Sequence, residues 1–260
     1  MARIAVAATA PFGADVLERL AARHEIAFLL TRPDAPAGRG RRLVPPPAKV
    51  VAERLGVPVL QPERPEIDDV DTVVLAAYGL LVPQRLLDRA LWLNVHPSLL
   101  PRWRGAAPVE RAILAGDAET GVTIHETVAA LDAGPIAAQR AFPIADEDDA
   151  GAVFAHAAEL AVVLLNEVLV RCEFHPQPED GVTYADKITA ADRELDLSDP
   201  AQAVRVVRAL SPHIGARTRL ANRDVIVWRA RVEDGEFVPV EVQPAGKRRM
   251  AYDEFLRGVR

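Results

Sequence analysis

The first hundred residues repeat one pattern: a short apolar run, a break, then a segment with helical spacing. Arg3–Thr9, Glu25–Thr31, Val57–Leu60, Thr72–Ala77 and Leu91–His96 are short runs rich in β-branched and aliphatic residues, too short for helices and right for buried strands. Between them, Val16, Leu17 and Leu20 recur at helical spacing within Asp15–Arg23, and Val50–Leu55 fits a helix behind a run of prolines. The stretch Pro11-Phe12-Gly13 reads as the loop before the first helix. Strands alternating with helices predict the α/β class, a wound and mostly parallel sheet covered on both faces. Sheets of this kind take ligands beyond the carboxyl ends of their strands, and Asn94, His96 and the Ala77-Tyr78-Gly79 turn fall at such ends. No G-x-G-x-x-G follows the first strand and no P-loop occurs, so the sequence offers no nucleotide cofactor site.

Half of the 260 residues are hydrophobic, enough to bury one large core or two modest ones. Gly151–Val170 reads as a long helix closing the first domain, broken by His175-Pro176-Gln177-Pro178. Beyond a connecting piece near Tyr184–Ala190, Asp199–Leu210 reads as a helix capped by Ser198 or Asp199, and Arg217–Glu241 alternates as two or three strands. The expected organisation is a domain over 1–176, a linker over 177–200 and a small β-rich domain over 201–260. No uninterrupted apolar run reaches membrane-spanning length, and Met1-Ala2-Arg3 leads straight into a strand, so a cytoplasmic protein without a membrane partner is expected. The single cysteine, Cys172, has no mate for a disulfide or a C-x-x-C pair; it reads as a packing residue, and no metal site is expected. The formal charge of −6 argues against general coating of nucleic acid. Its distribution is uneven, with 17 basic and 25 acidic residues in 1–180 against 14 and 12 in 181–260.

The densest chemistry lies in Asn94 to Pro108, N-V-H-P-S-L-L-P-R-W-R-G-A-A-P. Side chains two apart on a strand share a face, so Asn94 and His96 point the same way at the end of the Leu91–His96 strand. An amide donor can stabilise a developing oxyanion, and an imidazole can donate to it or move a proton near neutral pH. The pair suits attack on a carbonyl. Alone, an N-x-H closes a strand and caps a turn; the flanking residues add far more.

With Ser98-Leu99-Leu100-Pro101 and Arg102 to Pro108 included, the segment resembles the signature of the folate-dependent formyltransferases. The likeness extends upstream through Arg32-Pro33-Asp34, Gly38-Arg39-Gly40, Pro45-Pro46-Pro47 and Ala77-Tyr78-Gly79-Leu80. Downstream it takes in Gly121-Val122-Thr123-Ile124, Leu131-Asp132-Ala133-Gly134, Val182 to Ile188, Gly246-Lys247 and Phe255 to Gly258. The resemblance implies a Rossmann-like formyltransferase domain followed by an OB-like C-terminal domain. It implies 10-formyltetrahydrofolate as co-substrate, Asn94, His96 and Asp132 as the catalytic set, and folate contacts from Tyr78, Gly79, Leu80, Ser98, Leu99, Leu100 and Pro101. Glycine at 134 is expected to let the backbone turn so that Asp132 reaches the site. The closest spelling is that of the branch acting on initiator methionyl-tRNA, which would place Arg32, Arg39, Arg41 and Arg42 of a basic loop, with Lys247 and Arg248 near the end of the chain, on the RNA.

Two departures stand against this pattern. The tail is short: Val225-Ile226-Val227-Trp228 runs almost directly into Gly235-Glu236-Phe237, leaving too little chain for a five-stranded barrel. His125 stands where a methionine-like residue is expected, and reads as packing. A shortened tail and acidic balance leave room for a small amine acceptor, such as an amino sugar nucleotide. A folate- or RNA-binding module without turnover has no need of Asn94, His96 and Asp132 together.

Overall fold

The computed structural model describes residues 1–37, 42–62, 66–67 and 69–259. The chain opens with β1 (Arg3–Ala8), α1 (Pro11–Ala21) and β2 (Glu25–Leu30), then a small hairpin of β3 (Ala35–Ala37) and β4 (Arg42–Val44). Next come α2 (Pro47–Leu55), β5 (Val59–Leu60), β6 (Thr72–Ala76), α3 (Gln84–Leu87) and β7 (Leu91–His96). The middle of the chain holds β8 (Arg104–Gly105), α4 (Pro108–Ala115), β9 (Glu119–Glu126), β10 (Ile136–Pro143) and α5 (Ala150–Val168). After β11 (Tyr184–Ala185) and α6 (Pro200–Leu210), the last strands are β12 (Ala216–Leu220), β13 (Arg223–Glu233), β14 (Glu236–Pro244) and β15 (Met250–Ala251), before α7 (Tyr252–Arg257).

Seven strands form one sheet in the order β10-β9-β7-β6-β1-β2-β5. The pairs β1/β2, β1/β6, β2/β5 and β6/β7 are parallel, and β9 runs antiparallel to β7. The expected wound, mostly parallel α/β sheet is therefore present. The chain builds outward from β1 to β2 and β5, then returns to lay β6 on the other side of β1, which makes the β1/β6 boundary the topological switch point. The turns after these two strands meet there. Thr9 and Ala10 donate their N–H groups to Ala77 O, and the Thr9 hydroxyl donates to Tyr78 O at 2.8 Å. Ala5, Ala7, Phe28, Leu30, Val73, Leu86 and Trp92 form a core cluster on this sheet, with the Trp92 indole N–H donated to Leu86 O.

Pro11-Phe12-Gly13 is the first turn of α1, not a loop. Proline is tolerated at a helix start because its missing N–H would have no partner there. Gly13 is set by space, since a Cβ on it would collide with Ala76 O and Ala8 Cβ where the helix crosses the sheet.

By compactness the chain divides into one unit of 1–104, 121–141 and 155–183, and another of 105–120, 142–154 and 184–260. The second unit thus draws on more than the expected tail: α4, the segment before α5 and the first residues of α5 group with it. Within it, β12, β13, β14 and β15 form a four-stranded antiparallel sheet on which α6 packs. Asp199 caps α6 by accepting the Gln202 N–H. Arg111 of α4 clamps Asp192 through two guanidinium bonds, at 2.8 and 3.1 Å. The small β-rich module expected from the sequence is present, with four strands among the described residues.

Candidate active site

The chemistry assembles at the carboxyl end of β7, where β9 lies beside it. Asn94 stands directly opposite His125, and His96 opposite Thr123. Residues paired across antiparallel strands share a face, so two strands with period-two alternation present a square of four polar side chains. Thr123, fully buried, donates its hydroxyl to Ser98 O at 2.7 Å and accepts from Leu100 N–H and from Gln139 Nε2. Gln139 Nε2 also donates to Leu100 O. These bonds fix the chain just after His96, and neither Thr123 nor Gln139 was singled out from the sequence.

Asp132 completes the centre from the turn between β9 and β10. Its Oδ1 accepts from Asn94 Nδ2 at 3.1 Å, and its Oδ2 lies 3.8 Å from His96 Nδ1. The side chain is 12% exposed, against 5% for His96, so the carboxylate is more open to a substrate than the imidazole. His96 Nε2 lies 2.8 Å from Trp103 O; a carbonyl only accepts, so this nitrogen carries the proton and Nδ1 is the edge turned to Asp132. Trp103 holds that carbonyl in place through a left-handed φ of 65° and an N–H donated to the Thr183 hydroxyl.

How Asp132 reaches the site differs from the expectation. Asp132 itself takes the left-handed conformation, with φ 45°, which aspartate tolerates better than most residues. Gly134 is required by proximity instead: a Cβ there would collide with the backbone carbonyl of Glu126. Gln177 braces the turn by donating Nε2 to the carbonyls of Asp132 and Gly134, both at 2.8 Å, while its Oε1 accepts from Arg104. No sequence signal marked Gln177, which lies in the proline-rich break after α5. A cleft of about 550 Å³ lined by Arg104, Ala133, Pro135, Gln177 and Val182, among others, flanks this turn.

His125 is more than packing. Its ring is 1% exposed, with Nδ1 at 2.8 Å from Glu126 O and Nε2 at 3.1 Å from Asn94 Nδ2. Burial, aided by the neighbouring His96, pushes its pKa down to about 4.

Residues 2–169 match the family model described as formyl transferase, and residues 187–239 match the one for the formyl transferase C-terminal domain. The chain belongs to the formyltransferase family. Methionyl-tRNA formyltransferase of Roseobacter denitrificans is 40% identical over 98% of this chain and 95% of its own length. The enzyme of that name from Halorhodospira halophila is 45% identical over 88% and 80%. The solved methionyl-tRNA formyltransferase from Clostridium thermocellum shares the fold, with a TM-score of 0.68 at 13% identity over 94% of this chain and 99% of that one.

In this formyltransferase the segments expected to hold folate are partly turned inward. Tyr78 is 4% exposed and its ring belongs to the core cluster, so only the backbone of its turn is presented. Ser98 and Leu100 are buried as well, Ser98 donating its hydroxyl to Arg102 O; they shape the loop and leave any surface to Leu99 and Pro101. Gly79, at φ 77°, and the half-exposed Leu80 remain open. Arg32, expected on the RNA, lies against Gly79: its guanidinium is 3.8 Å from where a Cβ on that glycine would stand. Arg39 and Arg41 lie outside the described residues. Arg42 is exposed at the start of β4. In the second unit Lys247 and Arg248 are exposed, whereas their neighbour Arg249 stacks 3.5 Å over Trp228 and donates to Pro212 O, a structural use.

Proposed function

We propose that this formyltransferase moves the formyl group of 10-formyltetrahydrofolate onto the amino group of initiator methionyl-tRNA. The observation that carries the chemistry is the convergence of Asn94 and His96, at one strand end, on Asp132, at 3.1 and 3.8 Å. The acceptor rests on the near-full-length similarity to enzymes of that name.

The reaction forms a bond from the amine nitrogen to the formyl carbon and breaks the bond from that carbon to the folate nitrogen. One proton leaves the amine and one must reach the departing nitrogen. Asp132, more exposed than His96, takes the amine proton, and His96, with Nδ1 facing that carboxylate, can pass it on. The oxyanion needs a donor. Both hydrogens of the Asn94 amide are engaged in this structure, by Asp132 and by His125, so Asn94 serves the oxyanion by exchanging its bond to Asp132.

The folate-binding reading is supported by the open turn at the switch point. Among the described residues only the Arg32 side chain comes within 4 Å of where a Cβ on Gly79 would stand, which supports a planar ring over the backbone, and the guanidinium beside it can meet an anionic or carbonyl group of the co-substrate. We therefore assign Arg32 to the folate side, and Arg42, Lys247 and Arg248 to the RNA. The cytoplasm, where charged initiator tRNA is made and used, is the place for this activity.

The test is formyl transfer from 10-formyltetrahydrofolate to charged initiator methionyl-tRNA, beside uncharged tRNA and a panel of amino sugar nucleotides. Transfer to the charged tRNA should fall about a hundredfold or more in Asn94→Ala, roughly 3–4 kcal/mol of transition-state stabilisation, with folate binding kept. Transfer only to a small amine overturns the acceptor and keeps the chemistry.

A further inference from the structure

His125 has no part in the roles assigned so far, yet it is buried against the centre of the site. Its Nδ1 lies 2.8 Å from the carbonyl of Glu126, and since a carbonyl only accepts, Nδ1 must carry the proton. The remaining nitrogen, Nε2, is then a lone pair in the neutral ring. It faces Asn94 Nδ2 at 3.1 Å and can only accept from it. Asn94 Nδ2 gives its other hydrogen to Asp132 Oδ1. The opposite amide assignment would put the Asn94 oxygen against the Asp132 carboxylate, a repulsive contact, so the network has one consistent reading. One bond to Asp132 alone leaves the amide free to turn about its terminal torsion, which is broad for asparagine; a second bond at right distance fixes its plane.

We propose that His125 is a positioning residue that holds the Asn94 amide in plane by accepting the hydrogen Asp132 does not use. The register supports it, since His125 is the direct cross-strand partner of Asn94. The charged and titratable groups facing the ring are Asp132, with Oδ1 3.7 Å from Nε2, His96, at 6.2 Å between ring centroids and edge-on, and Arg104. Burial first, then the proximity of His96 and Arg104, outweighs the Glu126 carbonyl and Asp132, which keeps Nε2 unprotonated in neutral solution.

The proposal rests on the formyl-transfer reading, and its test separates the two. His125→Met removes the acceptor at similar volume; His125→Gln keeps an accepting oxygen near the Nε2 position and cannot titrate. In the formyl-transfer assay kcat should drop about tenfold or more in the Met variant, as for a misplaced catalytic group, with the folate KM unchanged, and return to within a few-fold of wild type in the Gln variant. A Met variant with wild-type kcat, or a Gln variant no better than Met, overturns it. A second readout needs no substrate and no substitution: the imidazole nitrogen spectrum of the wild-type protein should show His125 as the Nδ1–H tautomer from pH 8 to pH 5. An Nε2–H tautomer, or a ring already charged at pH 6, overturns the proposal even if the variants do not fold. Absence of all formyl transfer in the wild type, with the Nδ1–H tautomer intact, counts against the proposed function instead.

Discussion

At the scale of single residues, a buried imidazole writes its environment into the pH dependence of the fold. Burial first, then the adjacent His96, brings the His125 pKa to about 4, whereas an unfolded chain would protonate it near 6.5. Between these values the unfolded state binds a proton that the folded state refuses, so stability falls as pH is lowered from 6.5 towards 4, by at most about 3 kcal/mol. Asp192 acts in a separate window. Its bond to Arg111 lowers its pKa to about 2, so the stability it contributes is kept above about pH 4 and lost only as pH falls towards 2. Denaturant unfolding of wild type and His125→Gln at pH 7 and pH 4.5 should therefore show a steeper acid loss in the wild type; parallel losses would refute it. Asn94 and His96 were legible in the sequence because alternation on a strand needs no partner. His125 was not: the same alternation in Thr123-Ile124-His125 marks a polar face, but which residue it meets depends on the register with β7, a fact that only pairing supplies.

Elements carry the next lesson. The approach of the Asp132 turn to β9 leaves no space for a side chain at 134, so Gly134→Ala should push the whole turn away from Glu126 and carry Asp132 with it. A displacement near 1 Å at a reacting group can lower the rate about a hundredfold. We expect a loss of that order in kcat, a smaller change in folate KM, and a lower melting temperature. Full activity in this variant would show that the turn can yield without moving the carboxylate. Strands β1, β2, β6 and β7 could be read directly because they lie inside the sheet, where both faces demand apolar residues. The strand β10 could not, since Ala137 to Arg140 at the sheet edge are partly or fully exposed and carry no apolar run. Helix α4 was hidden for another reason: at eight residues its apolar face spans barely two turns, and it begins at Pro108, where the signature segment ends and a loop is the simpler reading. The boundary of α1 shifted because Pro11 and Gly13, both turn-formers in isolation, here serve a helix start and a close crossing.

For the whole molecule, the net charge of −6 sets the terms of any encounter with RNA. An acidic protein meets a polyanion against long-range repulsion, so binding has to come from local groups that displace counterions, and its strength must fall with salt. Arg42, Lys247 and Arg248 are exposed, and the latter two precede an arginine, Arg249, that is committed to Trp228. If these exposed groups contact phosphates, the affinity for initiator tRNA should fall steeply between 50 and 200 mM salt, and each contact removed should reduce the slope of log affinity against log salt by about one unit or a little less. Arg42→Ala should lower the slope by one such step, and Lys247→Ala with Arg248→Ala by up to two. Arg249→Ala should act differently: it removes a stacking partner of Trp228 and the bond to Pro212 O, so it should lower the melting temperature more than the salt slope. Arg32→Ala separates the two ligands, weakening folate binding with the slope unchanged if its place beside Gly79 is its working position. Slopes equal to wild type in the Arg42 and Lys247/Arg248 variants, with affinity retained, would move the RNA contacts to other residues, and the arginines 39 and 41 of the same loop would be next to replace.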